Sequence, residues 1–160
     1  MTDPEIIIYT DGSSRGNPGP GGYGIIMKDC KSGYSKEYSK GFKLTTNNRM
    51  ELMAVIDALK KVKKEGLKIL IYTDSKYVAN PIEKQWLQNW KKTGFKNKKN
   101  VDLWLEFLTL FEKHKIKFKW VKGHNKHPQN ERCDRLAVNA AKKKNKQIDH
   151  YFENIIKRIS

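Results

Sequence analysis

The apolar and polar positions along the chain divide it into strands and helices with few ambiguous stretches. Ile6 to Thr10 is apolar, aromatic or β-branched throughout, which predicts a buried strand, and the DGSS that follows predicts a turn. Tyr23 to Asp29 and Tyr34 to Phe42 read as two more strands, with Lys31-Ser32-Gly33 as the turn between them. Three strands on short turns predict an antiparallel meander. From Met50 the apolar positions Leu52, Met53, Val55, Ile56, Leu59 and Val62 recur with a period near ~3.6, a helix that Gly66 ends. Lys68 to Thr73 is another short buried strand. Strand, long helix and strand in that order imply a right-handed crossover, and so a mixed sheet.

The second half is more helical. Asp74 to Trp90 reads as one or two helical segments, with Pro81 near the start of the second. Val101 to Lys113 is amphipathic, and Ile116 to Val121 alternates apolar and basic residues like a half-exposed strand. Asn130 to Lys144 predicts an amphipathic helix with Cys133, Leu136, Ala137, Ala140 and Ala141 on one side. After the polar KKKNK, helical spacing returns at Ile148, Phe152, Ile155, Ile156 and Ile159. The expected division is a main domain over residues 1–145 and a helical extension over 146–160, which packs on the domain or receives a partner.

Composition narrows the class. At 160 residues with 38% hydrophobic content, the chain is expected to form one globular domain with a real core. Lys and Arg number 33 against 17 Asp and Glu, a formal charge of +16 that calls for a polyanionic partner. No apolar run approaches the roughly 20 residues that span a bilayer. The first nine residues carry acids and lead straight into IIIY, so no signal peptide is expected. Two cysteines, Cys30 and Cys133, do not make a disulfide framework. The expectation is a cytoplasmic protein, monomeric by default, with no membrane partner.

Against this basic background four acids stand out: Asp11 in YTDGS, Glu51 in TTNNRMEL, Asp74 in YTDSKYV and Asp134 in NERCDRLA. Singly, each has an ordinary explanation. Asp11 heads a turn, Asp74 caps the next helix, Glu51 closes a capping box opened by Asn48, and Asp134 sits in the first turn of a helix. Jointly they say something else. If the first and fourth strands pair in parallel, Asp11 and Asp74 emerge from one edge of the sheet and two helix starts supply Glu51 and Asp134. Carboxylates brought that close repel unless cations lie between them. Mg²⁺ takes such hard oxygen ligands while keeping waters, and two ions about 3.5–4 Å apart serve phosphodiester cleavage.

YTDGS, NPGPGGYG, TTNNRMEL, YTDSKYV, NVDLW, WVKGH and HPQNERCDRLA together resemble the motifs of bacterial-type (type 1) ribonuclease H, in the family's order, from about Ile6 to Ala141. The resemblance implies an α/β fold, with a mixed five-stranded sheet flanked by helices. It also implies hydrolysis of the RNA strand of an RNA/DNA hybrid, leaving 5′-phosphate and 3′-hydroxyl ends. By motif, Asp11, Glu51, Asp74 and Asp134 are the implied metal-binding acids, for Mg²⁺ with Mn²⁺ as substitute, two ions being present with substrate. His124 in GHNKH matches the loop histidine of the proton and product steps, which suits an imidazole titrating near neutrality; His127 is read as structural.

The same resemblance divides substrate contacts among patches. Asn17, Asn47 and Asn48 match residues that contact bases or sugars, with Ser14 contributing, and Thr46 matches part of a phosphate pocket. Amides both donate and accept, which suits groove edges, and 2′-hydroxyls distinguish RNA from DNA. Between Lys84 and Asn100 lie six lysines and no acid, interleaved with Trp86, Trp90 and Phe95. This segment resembles the family's basic protrusion, giving Trp86, Trp90, Lys91, Lys92, Lys96, Lys98 and Lys99 as contacts to the DNA strand. Two departures appear: Lys76 replaces a common glutamine, and the protrusion is a few residues short.

Four other readings lose ground. Gly19-Pro20-Gly21-Gly22-Tyr23-Gly24 satisfies G-x-G-x-x-G, but it runs into a strand rather than opening a helix, so it is not a dinucleotide loop. His124, His127, Cys133 and Cys30 match no zinc spacing. A non-catalytic hybrid-binding protein, or a DNA nuclease of the same fold, remains as the rival from outside the ribonucleases. Intact acids at all four positions argue against the first, and TTNNRME with GHNKHPQNERCD against the second.

Overall fold

The computed structural model describes residues 3–123 and 127–159. Its centre is a five-stranded mixed sheet in the order β3-β2-β1-β4-β5. The strands are β1 (Ile6–Ser14), β2 (Gly19–Asp29), β3 (Ser35–Thr45), β4 (Lys68–Thr73) and β5 (Lys115–Trp120). β1, β2 and β3 pair antiparallel, while β4 pairs parallel with both β1 and β5. The helices are α1 (Asn47–Lys60), α2 (Lys76–Glu83), α3 (Trp86–Lys92), α4 (Val101–Phe111), α5 (Pro128–Lys142) and α6 (His150–Ile159).

Strand pleating assigns the two faces. Gly12 pairs with Tyr23, and Asp11 with Gly24, so the two pairs point to opposite sides of the sheet. A Cβ on Gly12 would lie 2.4 Å from the amide nitrogen of Glu51, and the Tyr23 hydroxyl donates to Asp57 at 2.7 Å, which puts α1 on that side. A Cβ on Gly24 would lie 2.4 Å from the Cys133 carbonyl oxygen, and one on Gly22 2.5 Å from that of Ala137. α5 therefore lies flat on the opposite face, over glycines. Of the G-x-G-x-x-G glycines only Gly24 lies under α5, while Gly21 faces Thr45 and Met50 and Gly19 faces Arg15; all three are on β2, so the match is not a nucleotide loop.

The α1 face holds the large apolar core: Ile8, Ile25, Ile69 and Ile71 meet Met50, Leu52, Ile56 and Leu59, with Trp104 and Phe107 of α4 packed edge-on beyond them. Several element ends differ from the sequence reading. β1 does not stop at Thr10 but runs on through Ser14, because β2 starts four residues early and pairs with it to Gly21. α1 begins at Asn47, capped by Thr46, and ends at Lys60; Gly66 is instead a loop residue at φ +75°, its N–H bonded to Lys113. Pro81 is inside α2, where it removes the amide that the Tyr77 carbonyl would have used, and the helix ends two residues later. No helix among the described residues is long and apolar enough to cross a membrane.

Candidate active site

The parallel register of β1 and β4 sets Ile8 beside Ile71 and Tyr9 beside Tyr72, with adjacent tyrosine rings stacked 5.0 Å apart. Two residues further on, the same offset sets Asp11 beside Asp74. Both acids thus leave the carboxyl ends of neighbouring parallel strands, where open α/β sheets gather their ligands. Asp11 and Glu51 are buried, and Asp74 is half-buried. Oxygens of Asp11, Glu51 and Asp74 all lie within 4.8 Å of one another.

Each ordinary explanation for the acids fails. Asp11 is in mid-strand, not at a turn. Ser75, not Asp74, caps α2, its hydroxyl accepting from the Val78 amide. Thr46 caps α1, so Glu51 lies a full turn inside the helix and takes no part in a capping box. Asp134 is the seventh residue of α5, beyond the first turn that would favour an acid.

Gly12 holds two of them. Its N–H donates both to Asp11 Oδ1 at 2.9 Å and, at very short range, to Glu51 Oε1. Only glycine lets α1 approach this strand, since any Cβ would run into the Met50–Glu51 backbone. On the far side of the sheet, the Cys133 thiol donates to the Tyr9 carbonyl at 3.4 Å and anchors α5, so that Asp134 borders the same small cleft as Asp11 and Asp74. Gly123 closes on Asp74 from beyond β5, where a Cβ would lie 3.0 Å from Asp74 Oδ2. The Trp120 indole N–H, at the end of that strand, donates to the Asp74 carbonyl at 2.9 Å.

Crowding sets the electrostatics. Burial, then the charge of Asp74, push the Asp11 carboxyl up to about 8, with Asp134 adding to the rise. Glu51 is raised well above the carboxylate range by burial and by Asp11 and Asp74. Among the described residues no lysine or arginine forms an ion pair with any of the four. The missing counter-charge fits a divalent cation: hard oxygens, three of them converging, held by a backbone amide rather than by a side-chain cation.

The other expected residues fall into two groups. On one flank, the Asn17 side-chain carbonyl accepts from the Asn47 amide at 3.1 Å, and Thr46 accepts from the Arg49 amide at 3.2 Å. Asn17, on the β1–β2 loop, is thus tied to the capped start of α1 at Thr46 and Asn47, with Asn48 in its first turn and Ser14 at the end of β1. On the other flank, Lys76 opens α2 with its ammonium 4.7 Å above the Trp120 ring. Trp86, Trp90, Lys98 and Lys99 line a groove with Lys76. Trp86 is exposed, whereas Trp90 packs edge-on against buried Trp104 at 5.5 Å and carries Lys98 on its other side. Lys92 and Lys96 are exposed, and Lys91 is 3.4 Å from Glu112, also exposed.

His124 lies outside the described residues. His127 caps α5, accepting from the Asn130 amide, and its ring lies 5.4 Å from that of Tyr72. Reading by motif passes over three contributors: the double role of the Gly12 amide, Trp120 behind Asp74, and Arg49. Arg49 is the most visible of them, as a charge on the same helical face as Leu52 and Ile56.

Comparison with known proteins follows the same line. The family model for RNase H matches residues 3–142. A ribonuclease H of Desulforamulus reducens is 54% identical over 150 residues, covering 91% of this chain and 92% of the relative. One from Klebsiella pneumoniae is 53% identical over 142 residues, covering 86% and 89%. Among solved structures, LC9-RNase H1, described as a type 1 RNase H with the type 2 active-site motif, superposes with a TM-score of 0.75 at 32% identity, covering 88% of this chain and 74% of that one. LC11-RNase H1, solved in complex with an RNA/DNA hybrid, gives 0.63 at 28% identity, covering 85% and 96%.

Proposed function

This chain belongs to the ribonuclease H family, of the bacterial type 1, and on that premise we propose how it works as an endoribonuclease on the RNA strand of RNA/DNA hybrids. The products are 5′-phosphate and 3′-hydroxyl ends. The observation that carries the mechanism is the convergence of Asp11, Glu51 and Asp74 within 4.8 Å at the end of the central parallel strand pair.

In this reading Asp11, Glu51, Asp74 and Asp134 hold Mg²⁺, two ions when substrate is present, and Mn²⁺ substitutes. With ions held there, the site would supply an activated water and stabilisation of charge on the leaving oxygen. The chain's own part is to present the acids already oriented. The Gly12 amide fixes Asp11 and Glu51, and Trp120 fixes the backbone of Asp74. His124 takes the proton and product steps, a role that rests on its motif.

The two flanks divide the hybrid between them. Asn17 and the start of α1 at Thr46, Asn47 and Asn48, with Ser14, take groove edges and a backbone phosphate. Lys76, Trp86, Trp90, Lys91, Lys92, Lys96, Lys98 and Lys99 take the DNA strand, where lysines on phosphates give affinity without sequence preference. The hybrid-bound LC11-RNase H1 supports this substrate. We further place the enzyme in the cytoplasm as a monomer; its free thiols, Cys30 and Cys133, accord with a reducing compartment, and sedimentation tests the oligomeric state.

The deciding experiment is cleavage of 5′-labelled RNA paired with DNA, with and without Mg²⁺, beside single-stranded RNA, RNA duplex and DNA duplex. Cleavage of the hybrid alone, abolished by EDTA, is the expected outcome. Tight binding of the hybrid without cleavage in Mg²⁺ or Mn²⁺ would instead make the chain a binding protein.

A further inference from the structure

Among the described residues Arg49 is one of the most deeply buried side chains, and its partners come from two distant segments, residues 100–102 and residue 149. Its Nε and Nη2 donate to Asp149 at 2.7 and 3.0 Å. Nη1 and Nη2 donate to Asp102 at 2.9 and 2.8 Å, and Nη1 also to the Asn100 side chain at 3.2 Å. Asp149 is itself only 4% exposed, and its Oδ2 also accepts from the Thr45 hydroxyl at 2.8 Å. The chain leading to it is tied down just before: Gln147 donates to the Gly41 carbonyl and accepts from the Lys43 amide, at 2.8 and 2.9 Å.

Stability alone is a weak reason for such a pair. Removing two charges from water costs about as much as their attraction returns, and well-packed apolar residues often serve as well. What the pair does provide is register. Thr45 and Arg49 bracket Thr46, Asn47 and Asn48, the turn assigned to substrate, and one carboxylate from residue 149 grips both ends of it. Through Asn100, whose amide donates to the Tyr77 hydroxyl at 2.9 Å, the same guanidinium reaches the end of the basic segment on the other flank.

We propose that Asp149 is a positioning residue for hybrid binding, setting the Thr46–Asn48 turn through Thr45 and Arg49. The inference rests on the ribonuclease reading above. It does not extend to the acid cluster, because Glu51 is held independently by Gly12. Losing the carboxylate therefore weakens capture of the hybrid and leaves turnover of bound hybrid alone.

The test is steady-state cleavage by the full chain carrying Asp149→Asn, at a temperature where circular dichroism shows it folded. KM for the hybrid is expected to rise about tenfold, as for a lost charge-assisted hydrogen bond, with kcat within about twofold of wild type. Thr45→Val removes one of the same bonds without a charge; its KM is expected to rise about threefold, and Thr45→Ser to restore it. If Asp149→Asn does not fold, the Thr45 pair carries the test. Wild-type KM in the folded variants, whatever their melting temperature, would reduce Asp149 to a structural residue and overturn the inference. So would a fall in kcat at constant KM. Wild-type enzyme in the same assay reports on the ribonuclease reading separately, since it alone decides whether hybrid is cleaved at all.

Discussion

The acid cluster and the lysine-rich segment over residues 84–100, both assigned to the hybrid in the proposed function, are built in opposite ways. Asp11 and Glu51 are buried on the central strand and the longest helix of the α1 face, and one glycine amide holds both. The basic segment is a helix of seven residues followed by a loop, with Gln85, Phe95, Asn97 and Asn100 all at positive φ near 60°. Its anchors are few: Leu87 and Phe95 are buried, and Trp90 leans on Trp104. Chemistry demands fixed atoms, so its carboxylates are set by strand register and helix packing. Affinity for a regular polyanion demands only charge at the right depth, so its lysines are left exposed on a short, locally strained element.

The sharpest way to break this contrast is to remove one charge from each region. Asp11→Asn keeps the shape and the hydrogen bond from Gly12 but removes one of the four carboxylates proposed to hold the metal. Cleavage in Mg²⁺ is expected to fall by about a hundredfold to a thousandfold, the size of loss that follows removal of one preorganised electrostatic group, while hybrid binding persists in a gel-shift assay. Wild-type cleavage by the variant would remove Asp11 from the metal site. No single lysine in the basic segment is expected to approach that effect.

Gly12→Ala addresses the geometry instead of the charge. The added Cβ would meet the Met50–Glu51 backbone at 2.4 to 2.6 Å, so α1 has to retreat. Such overpacking costs about 1–3 kcal/mol in stability. Because a misplacement of about 1 Å can cost ~100-fold in rate, kcat is expected to fall by that order with KM little changed. Activity near wild type would mean that Glu51 tolerates displacement, and the rigidity argued for this region would be wrong.

Neutralising Lys91, Lys92, Lys96, Lys98 and Lys99 together tests the other side. KM is expected to rise by about tenfold or more at moderate salt, with kcat nearly kept. The slope of log affinity against log salt should become shallower by about one for each phosphate that no longer meets a lysine. Lys91, close to Glu112, is expected to contribute least. An unchanged salt slope would show that these lysines merely solvate the surface.

The contrast also explains what could be read from the chain. The strands, the crossover and the long helices are legible because apolar periodicity records burial, and the four acids are legible, among 17, because each stands in a short motif at the end of a strand reading or the start of a helix reading. Ends are misread wherever a partner decides them. β1 continues through Gly12, Ser13 and Ser14 only because β2 pairs with it there, and polar residues carry no trace of such pairing. α1 starts at Asn47 because the Thr46 hydroxyl caps it, while apolar periodicity begins only at Met50. The tie between Arg49 and Asp149 spans a hundred residues, and no local pattern encodes a bond at that range. His127, read as structural from its motif, caps α5 and lies beside Tyr9 and Tyr72, and it also borders the cleft of Asp11, Asp74 and Asp134.

The smallest effect concerns stability without metal. Burial and neighbouring charge raise the Asp11 carboxyl from its ordinary range to about 8, so between about pH 4 and 8 the folded protein binds a proton that the unfolded chain does not. Stability from this group is present at low pH and is lost as pH rises toward 8, the reverse of an acid held in a salt bridge. In EDTA, the melting temperature is expected to fall over that interval for this reason, and Asp11→Asn, which never ionises, to flatten the decline. At pH 8 the variant should melt higher than wild type by roughly 3–6 °C, about 1–2 kcal/mol for a domain of this size. Saturating Mg²⁺ should narrow the gap, because the cation then supplies the missing counter-charge to wild type alone. Equal melting curves in EDTA across the whole range would mean that Asp11 has found a partner in the folded chain. The acid cluster would then not be the place where this basic protein keeps its uncompensated negative charge.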